Sequence, residues 1–481
     1  MEEFSNFDFE KFVDLSISKI KTFESEKALK VINESKKFDY FSTLEKDHEK
    51  KLFKLKIFLE APIFGIKDLK NQILEDDETL RMYAFGESYF IDYNSISTIN
   101  FQFKIPQTFS LNLKKIFTGS LDNYDNKFQR LLLPIKKDLD LYNITTKSVK
   151  YDEKIVFSGI IEVNVNNKNY HVFTYIKNDP KKYFLIIDSV ERECFSDFKK
   201  ATESIIISLG FLTGNLITSE SYFQTSEDIS FNKIENIFFE KKEDSIYSND
   251  RVIDHTKFVN YLRQINQEEK YKIWAKPMAN IYFDNICTTV FKNSIFHRCC
   301  QLIIEANQTK HNLLKAGILS IALETISGLI YEDNKEKINP IQDRLIAKKL
   351  RLELLNTLNN FEEEIPEEAV KIFTSKINEL NKPTNSKKLS FPFQYYNIKL
   401  SKEELDILNH RNKFLHGTSP FEEEELQLKR HEILVIIANL KFMINCLMLK
   451  YIGYKGHTTN YPAIIEYNTK DEISNPLYKI I

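Results

Sequence analysis

The densest run of residues able to do chemistry is Asn409-His410-Arg411-Asn412-Lys413-Phe414-Leu415-His416-Gly417. A guanidinium, a carboxamide and an imidazole thus stand within six positions, a set that could form a catalytic site. With ten Arg and nine His in 481 residues, chance alone yields about 0.2 pairs at the spacing Arg-x4-His. Context adds weight, because Asn follows the Arg, the pair closes a helix and a long apolar helix comes next. Each residue also has a plain structural reading. His416 could complement a helix dipole, Arg411 could pair with a surface carboxylate, and Asn412 could be a structural hydrogen bonder.

The element that must position these groups is a helix over 401–416. Ser401 and Glu404 form an S-x-x-E capping box at its start, and Gly417 suits the left-handed position after its end. At roughly 100° per residue, with Leu405 as origin, Leu408 and Leu415 fall at about 300° and 280°. On the same wheel Asn412 lies at about 340°, Arg411 at about 240° and His416 at about 20°. The leucines define the expected core stripe, with Asn412 inside it and Arg411 and His416 on its two sides. Polar groups placed where leucines should pack break the binary pattern, and such breaks mark candidate sites.

A second helix is expected from Ser419, its N-cap, with Pro420 at the first position and Glu422 to Glu425 in the first turns. It should run to about Tyr451. Its stretch from Ile433 to Ile452 is the most apolar in the chain, broken by Asn439, Lys441 and Asn445. A helix buried in a bundle or dimer interface explains this better than a membrane span.

The rest of the chain changes character near its middle. Residues from about 85 to 240 read mainly as strand, with Ile161, Val163 and Val165 alternating with polar residues. Asn166 to Asn169 supply a turn, so 161–176 is a candidate hairpin, followed by a strand over Tyr183–Asp188. One helix is expected from about Ser196 to Leu212, ended by Gly210 and Gly214. The first 80 residues are mixed and give no clear assignment. From about 253 onward helix dominates: His311–Tyr331, Asp343–Leu358 and Glu367–Leu380 all show amphipathic spacing. Residues 381–399 hold two prolines and read as a loop. The expected fold class is α+β: a β-rich N-terminal domain over 1–250, then a helical region over 251–481 with its core at about 295–455.

Composition narrows the function classes. The net charge is -2, from 67 Lys+Arg and 69 Asp+Glu, and 42% of residues are hydrophobic. This excludes a wholly basic nucleic-acid coat and a charged disordered chain. Gly is 11 of 481 residues, about a third of the usual share, and no GxxxxGK[ST] or GxGxxG occurs. Five Cys with no CxxC pair, and an acidic N-terminus without an apolar core segment, lead to the expectation of a cytoplasmic protein without a signal peptide.

The pattern Arg411-Asn412-x-x-x-His416 resembles the signature of the HEPN superfamily: Arg, a polar residue, then His after four to six intervening residues. The helix over 311–331, with Ala322-Leu-Glu-Thr325, resembles the long early helix of that domain, and the helix from Ser419 its closing helix. With a β-rich half in front, the whole chain resembles the ApeA-type HEPN proteins of bacterial anti-phage defence. The resemblance implies an endoribonuclease that needs no metal or other cofactor and works as a homodimer, two Arg/His motifs facing one cleft. It implies that His416 acts in general acid–base catalysis, Arg411 stabilises charge on the phosphate, and Asn412 orients the other two or binds a phosphate oxygen. The product would carry a 2′,3′-cyclic phosphate. The substrate would be RNA, tRNA among the candidates, and the role that of a toxic effector in abortive infection. The N-terminal half would sense a phage-derived trigger. The alternative is a non-catalytic HEPN module that dimerises or binds RNA.

Three further features have competing readings. Glu324 on the early helix could face the motif and hold Arg411, or be an ordinary surface carboxylate. Arg344, Lys348, Lys349 and Arg351 could track an RNA backbone, but a solvated helix face is the stronger reading. His297, Cys299 and Cys300 match no zinc spacing and read as buried thiols on an apolar helix.

Overall fold

The computed structural model describes residues 9–33, 38–59, 79–84, 86–102, 107–139, 141–151, 154–178, 181–361, 363–415, 429–470 and 476–481. The chain is α+β, with an antiparallel β-rich region first and a helical region after it. Two compact units divide between Lys292 and Asn293.

The first unit opens with α1 (Phe9–Glu24). Fifteen strands then build one sheet. They are β1 (Lys27–Asn33), β2 (Phe38–Asp47), β3 (Leu52–Leu59), β4 (Thr79–Ala84), β5 (Glu87–Asp92), β6 (Ile96–Gln102), β7 (Gln107–Leu113) and β8 (Lys115–Thr118). They continue with β9 (Phe128–Ile135), β10 (Lys147–Tyr151), β11 (Lys154–Val165), β12 (Lys168–Asn178), β13 (Lys181–Ser189), β14 (Glu220–Ser226) and β15 (Asn236–Lys241). The order across the sheet is β10-β11-β12-β13-β9-β14-β15-β8-β5-β4-β1-β2-β3-β7-β6. β3 shows why the sheet has an inside: Phe53, Leu55, Ile57 and Leu59 are buried and alternate with half-exposed residues. They join Val13, Ile17, Ile20 and Phe23 of α1 in one apolar cluster. The first three strands, and α1 before them, lie in the stretch whose mixed pattern hides them in the sequence.

The expected hairpin is β11–β12, closed by Asn166 and Asn167 at φ 52° and 67°. Asn tolerates this left-handed backbone, which suits a two-residue turn to the twist of the strands. The expected helix is α2 (Phe195–Thr213), capped by Gly214 at φ 74°. A side chain on Gly214 would place its Cβ 2.6 Å from the Asp250 carbonyl, so only glycine fits. Helices α3 (His255–Gln264) and α4 (Asn280–Lys292) complete this unit. Asp284 of α4 accepts the Asn164 N–H at 2.8 Å, which fastens α4 to β11.

A buried cation ties α1 to the sheet. Arg130 on β9 faces Asp188 on β13, donating from Nε and Nη2 at 2.8 Å each. Its Nη1 donates to Ser16 Oγ of α1 at 2.9 Å, and the guanidinium lies 4.2 Å from the Phe231 ring centre. Gln224 of β14 donates to the Ser16 carbonyl at 2.9 Å.

The second unit is helical: α5 (Ser294–Gln308), α6 (Asn312–Ile338), α7 (Arg344–Asn359), α8 (Glu367–Glu379), α9 (Asn385–Tyr395), α10 (Lys402–Leu415), α11 (Arg430–Tyr451) and α12 (Tyr461–Lys470). A short ladder pairs 457–459 with 478–480. Helix α6 is central and packs against α5, α9, α10 and α11. Cys299 and Cys300 are buried, and the Cys299 thiol lies 3.4 Å from the Ala322 carbonyl and 3.5 Å from the Met448 sulfur. Burial pushes that thiol well above its ordinary range.

Helices α6 and α11 are each long and apolar enough to cross a membrane, and most of the α11 window is buried inside the protein. Two of its three polar residues find partners there, while the buried amide of Asn445 has none among the described residues. Asn439 donates to the Val435 carbonyl at 2.9 Å, and Lys441 donates to Asn307 Oδ1 at 2.6 Å.

The loop expected over 381–399 is corrected. Residues Asn385–Tyr395 form α9, with Thr384 capping its start and Pro392 inside it. Pro392 costs the helix a hydrogen bond. Leu389, Pro392 and Phe393 are buried, and α9 packs on α6, so tertiary burial outweighs the local penalty.

Asp188→Ala will leave the Arg130 charge buried and unpaired and will destabilise the first unit by about 3–5 kcal/mol. Urea unfolding followed by amide exchange on β9 and β13 will read this; a loss under about 1 kcal/mol contradicts the assigned role.

Candidate functional site

The capping box forms as its residues require. Ser401 N–H donates to Glu404 Oε2 at 2.6 Å, and Glu404 N–H donates to Ser401 Oγ at 3.1 Å. Two otherwise orphan donors are satisfied, and α10 starts at Lys402.

The inward face of α10 differs from the sequence expectation. Glu404, Ile407, Leu408, Arg411 and Phe414 are buried, whereas Leu405 is 43% exposed. The stripe therefore centres on Arg411, which is 5% exposed, instead of leaving it at the margin. Taking Leu405 as a core residue set the wheel about a fifth of a turn off. A lone leucine on the outer face is ordinary, because much protein surface is apolar.

Arg411 is held on two sides. Its Nε and Nη2 donate to Glu324 Oε1 of α6 at 3.2 Å and 3.0 Å. Its Nη1 donates to the Leu408 carbonyl of its own helix at 2.8 Å. Glu324 therefore faces the motif, while its side chain stays 42% exposed. Gly317, two turns earlier on α6, lies against α10; a Cβ there would make an ordinary contact, 3.6 Å from the Phe414 carbonyl.

Asn412 follows Arg411 on α10. His416 lies outside the described residues, as do Gly417, Ser419, Pro420 and Glu422 to Glu425. The site described in side-chain terms is thus Arg411, Glu324 and the Leu408 carbonyl.

The chemistry open to Arg411 follows from its donor count. A guanidinium has five N–H donors. Three contacts with Glu324 and Leu408 fix its plane, and two donors remain for an anionic oxygen. A cation held rigidly by its own protein stabilises charge that develops nearby without reorganising.

The structure adds a cleft that the sequence does not single out. Glu403, Glu404, His431, Asn439, Glu466 and Lys479 are among its lining residues, and its volume is about 340 Å³. Glu404 lies two turns, about 10 Å, before Arg411 on the same helix face. The lining comes from segments far apart in sequence, so no local motif announces it. Among the described residues, no three His, Cys, Asp or Glu side chains come together as a set able to hold a metal ion.

Glu324→Ala will loosen the α6–α10 seam by about 1–2 kcal/mol, a modest figure because the carboxylate is partly solvated. Amide exchange over 402–415 will read the change, and Glu324→Gln will recover part of it; equal exchange in all three proteins contradicts the assigned role. No family model, no curated protein and no solved structure matches this chain.

Proposed function

We propose that this chain is a HEPN-type endoribonuclease that cuts RNA without a metal ion and acts as a toxic effector in anti-phage defence. The observation that carries the reading is the anchored guanidinium of Arg411, set beside Asn412 and five positions before His416. Arg411 holds the scissile phosphate and the charge that grows on it. The ribose 2′-oxygen attacks phosphorus and the bond to the 5′-oxygen breaks. One His416 takes the 2′-OH proton and its counterpart in a second copy delivers a proton to the leaving oxygen. The products are a 2′,3′-cyclic phosphate and a 5′-OH. Asn412 orients the Arg411 and His416 side chains or binds a phosphate oxygen. The β-rich unit is the candidate sensor of a phage-derived trigger, and the protein acts in the cytoplasm.

One observation favours a second reading. Arg411 is almost wholly buried and most of its donors are already engaged, as in a purely structural arginine. In that case the helical unit is a non-catalytic dimerisation or RNA-binding module.

Purified protein incubated with RNA in EDTA will decide. Wild type will release 2′,3′-cyclic phosphate ends and will leave an all-deoxy strand uncut. His416→Ala will lower the rate about 10²–10⁴-fold, as expected for loss of a general acid–base group. Arg411→Ala will be at least as severe, with its fold checked by circular dichroism. If both variants cut like wild type, the site is misassigned. Overexpression of wild type will arrest growth and His416→Ala will relieve it; equal toxicity supports the module reading.

A further inference from the structure

Helices α7 and α8 form a hairpin unlike the rest of the second unit, since neither contains a buried residue. They pack on each other, and the base is pinned where Asn381 both accepts the Ile341 N–H at 2.8 Å and donates to the Ile341 carbonyl at 2.9 Å. Large apolar side chains remain in water. Leu345 is 77% exposed, Phe373 47% and Leu380 54%, and Ile346, Leu352 and Ile372 are exposed as well. Leu345 and Leu352 of α7 are seven apart, as are Phe373 of α8 and Leu380, its helical C-cap, so each arm carries a short apolar ladder. Scattered single hydrophobics are normal, but this density on two short helices marks an interaction surface.

The charges say what covers it. The base half of α7 carries Arg344, Lys348, Lys349 and Arg351 with no acid among them. The tip, from Asn360 to Val370, carries Glu362, Glu363, Glu364, Glu367 and Glu368 and no cation. Within one hairpin the two charge clusters sit at opposite ends. A second hairpin laid antiparallel about a twofold axis brings each acidic tip beside the other copy's basic base, and both apolar ladders face inward. The surface is therefore self-complementary, as an isologous contact requires.

We propose that α7 and α8 are a self-association surface, pairing with the same hairpin of a second copy into a four-helix bundle. The helices have 16 and 13 residues, so each is about 20–24 Å long. Two hairpins laid together bury on the order of 1,000 Å² in total, the lower bound for a specific interface. RNA fits this surface less well. Phosphates would engage the cations of α7, but the acidic tip would repel them and the ladders would stay in water. This contact is separate from the Arg411 site and does not depend on the enzymatic reading.

Light scattering on the full-length chain tests the proposal. Leu345→Asp with Phe373→Asp will halve the mass of wild type at the same concentration; neither residue is buried, so the fold is retained. A charge swap is more specific. One variant reverses α7 (Lys348→Glu, Lys349→Glu, Arg351→Glu) and the other reverses the tip (Glu363→Lys, Glu364→Lys, Glu368→Lys). Each alone will show the reduced mass, and their equimolar mixture will regain the wild-type mass, because the mixed pair restores both contacts. His416→Ala will keep the wild-type mass, so a failure of cleavage and a failure of association are read separately. A mass unchanged in the Asp variant, or no recovery in the mixture, overturns the proposal. So does a loss of RNA retention in the α7 variant at unchanged mass, which makes the hairpin a nucleic-acid surface.

Discussion

A guanidinium removed from water must be given partners inside the protein, and each unit of this chain is arranged around one arginine for which this has been done. In the first unit Arg130 joins β9 to β13 through Asp188 and to α1 through Ser16. In the second, Arg411 joins α10 to α6 through Glu324. Both ion pairs connect elements distant in sequence, and each buried charge carries its full cost until the partner element is in place. The two differ in setting. Arg130 engages both carboxylate oxygens of a mostly buried aspartate, whereas Arg411 shares one oxygen of a glutamate that still reaches solvent. Each arginine engages three of its five N–H donors, so the pairs differ in how far the carboxylate is withdrawn from water.

The central helix α6 gives the Arg411 region its rigidity. It packs on four helices, supplies Glu324, and at Gly317 approaches the backbone of α10. Burial on that scale is what makes a single side-chain geometry persist. An arginine on a less crowded helix would sample many rotamers and lose the preorganisation that charge stabilisation needs.

The hairpin of α7 and α8 is the opposite case. Its apolar residues lie at helical spacing, as in any core-facing helix, yet no element of the described chain covers them. Apolar surface left in water is costly in proportion to its area. The separation of cations at the base from acids at the tip gives the surface a preferred partner and orientation, which apolar contact alone would not.

Local signals were legible in the sequence wherever one residue type has few conformational options. The Asn166-Asn167 turn, the Gly214 cap, the Ser401/Glu404 capping box and the alternation in β11 all follow from backbone sterics or from a donor that must be satisfied nearby. These determined the α+β class, the strand-rich first half and the helix that bears Arg411. What the sequence could not settle depends on partners far along the chain. Pro392 inside α9 reads as a breaker until its burial against α6 is known. Leu405 looks like core, and only packing shows that the inward face of α10 is turned toward Arg411. Glu324 is one carboxylate among many until α6 is laid beside α10, 87 residues away in sequence. Which residues stand together on one helix follows from the order of amino acids, because helical geometry is local. Which side of that helix is buried, and which carboxylate meets its arginine, follows only from folding, because burial and ion pairing depend on elements brought together from far along the chain.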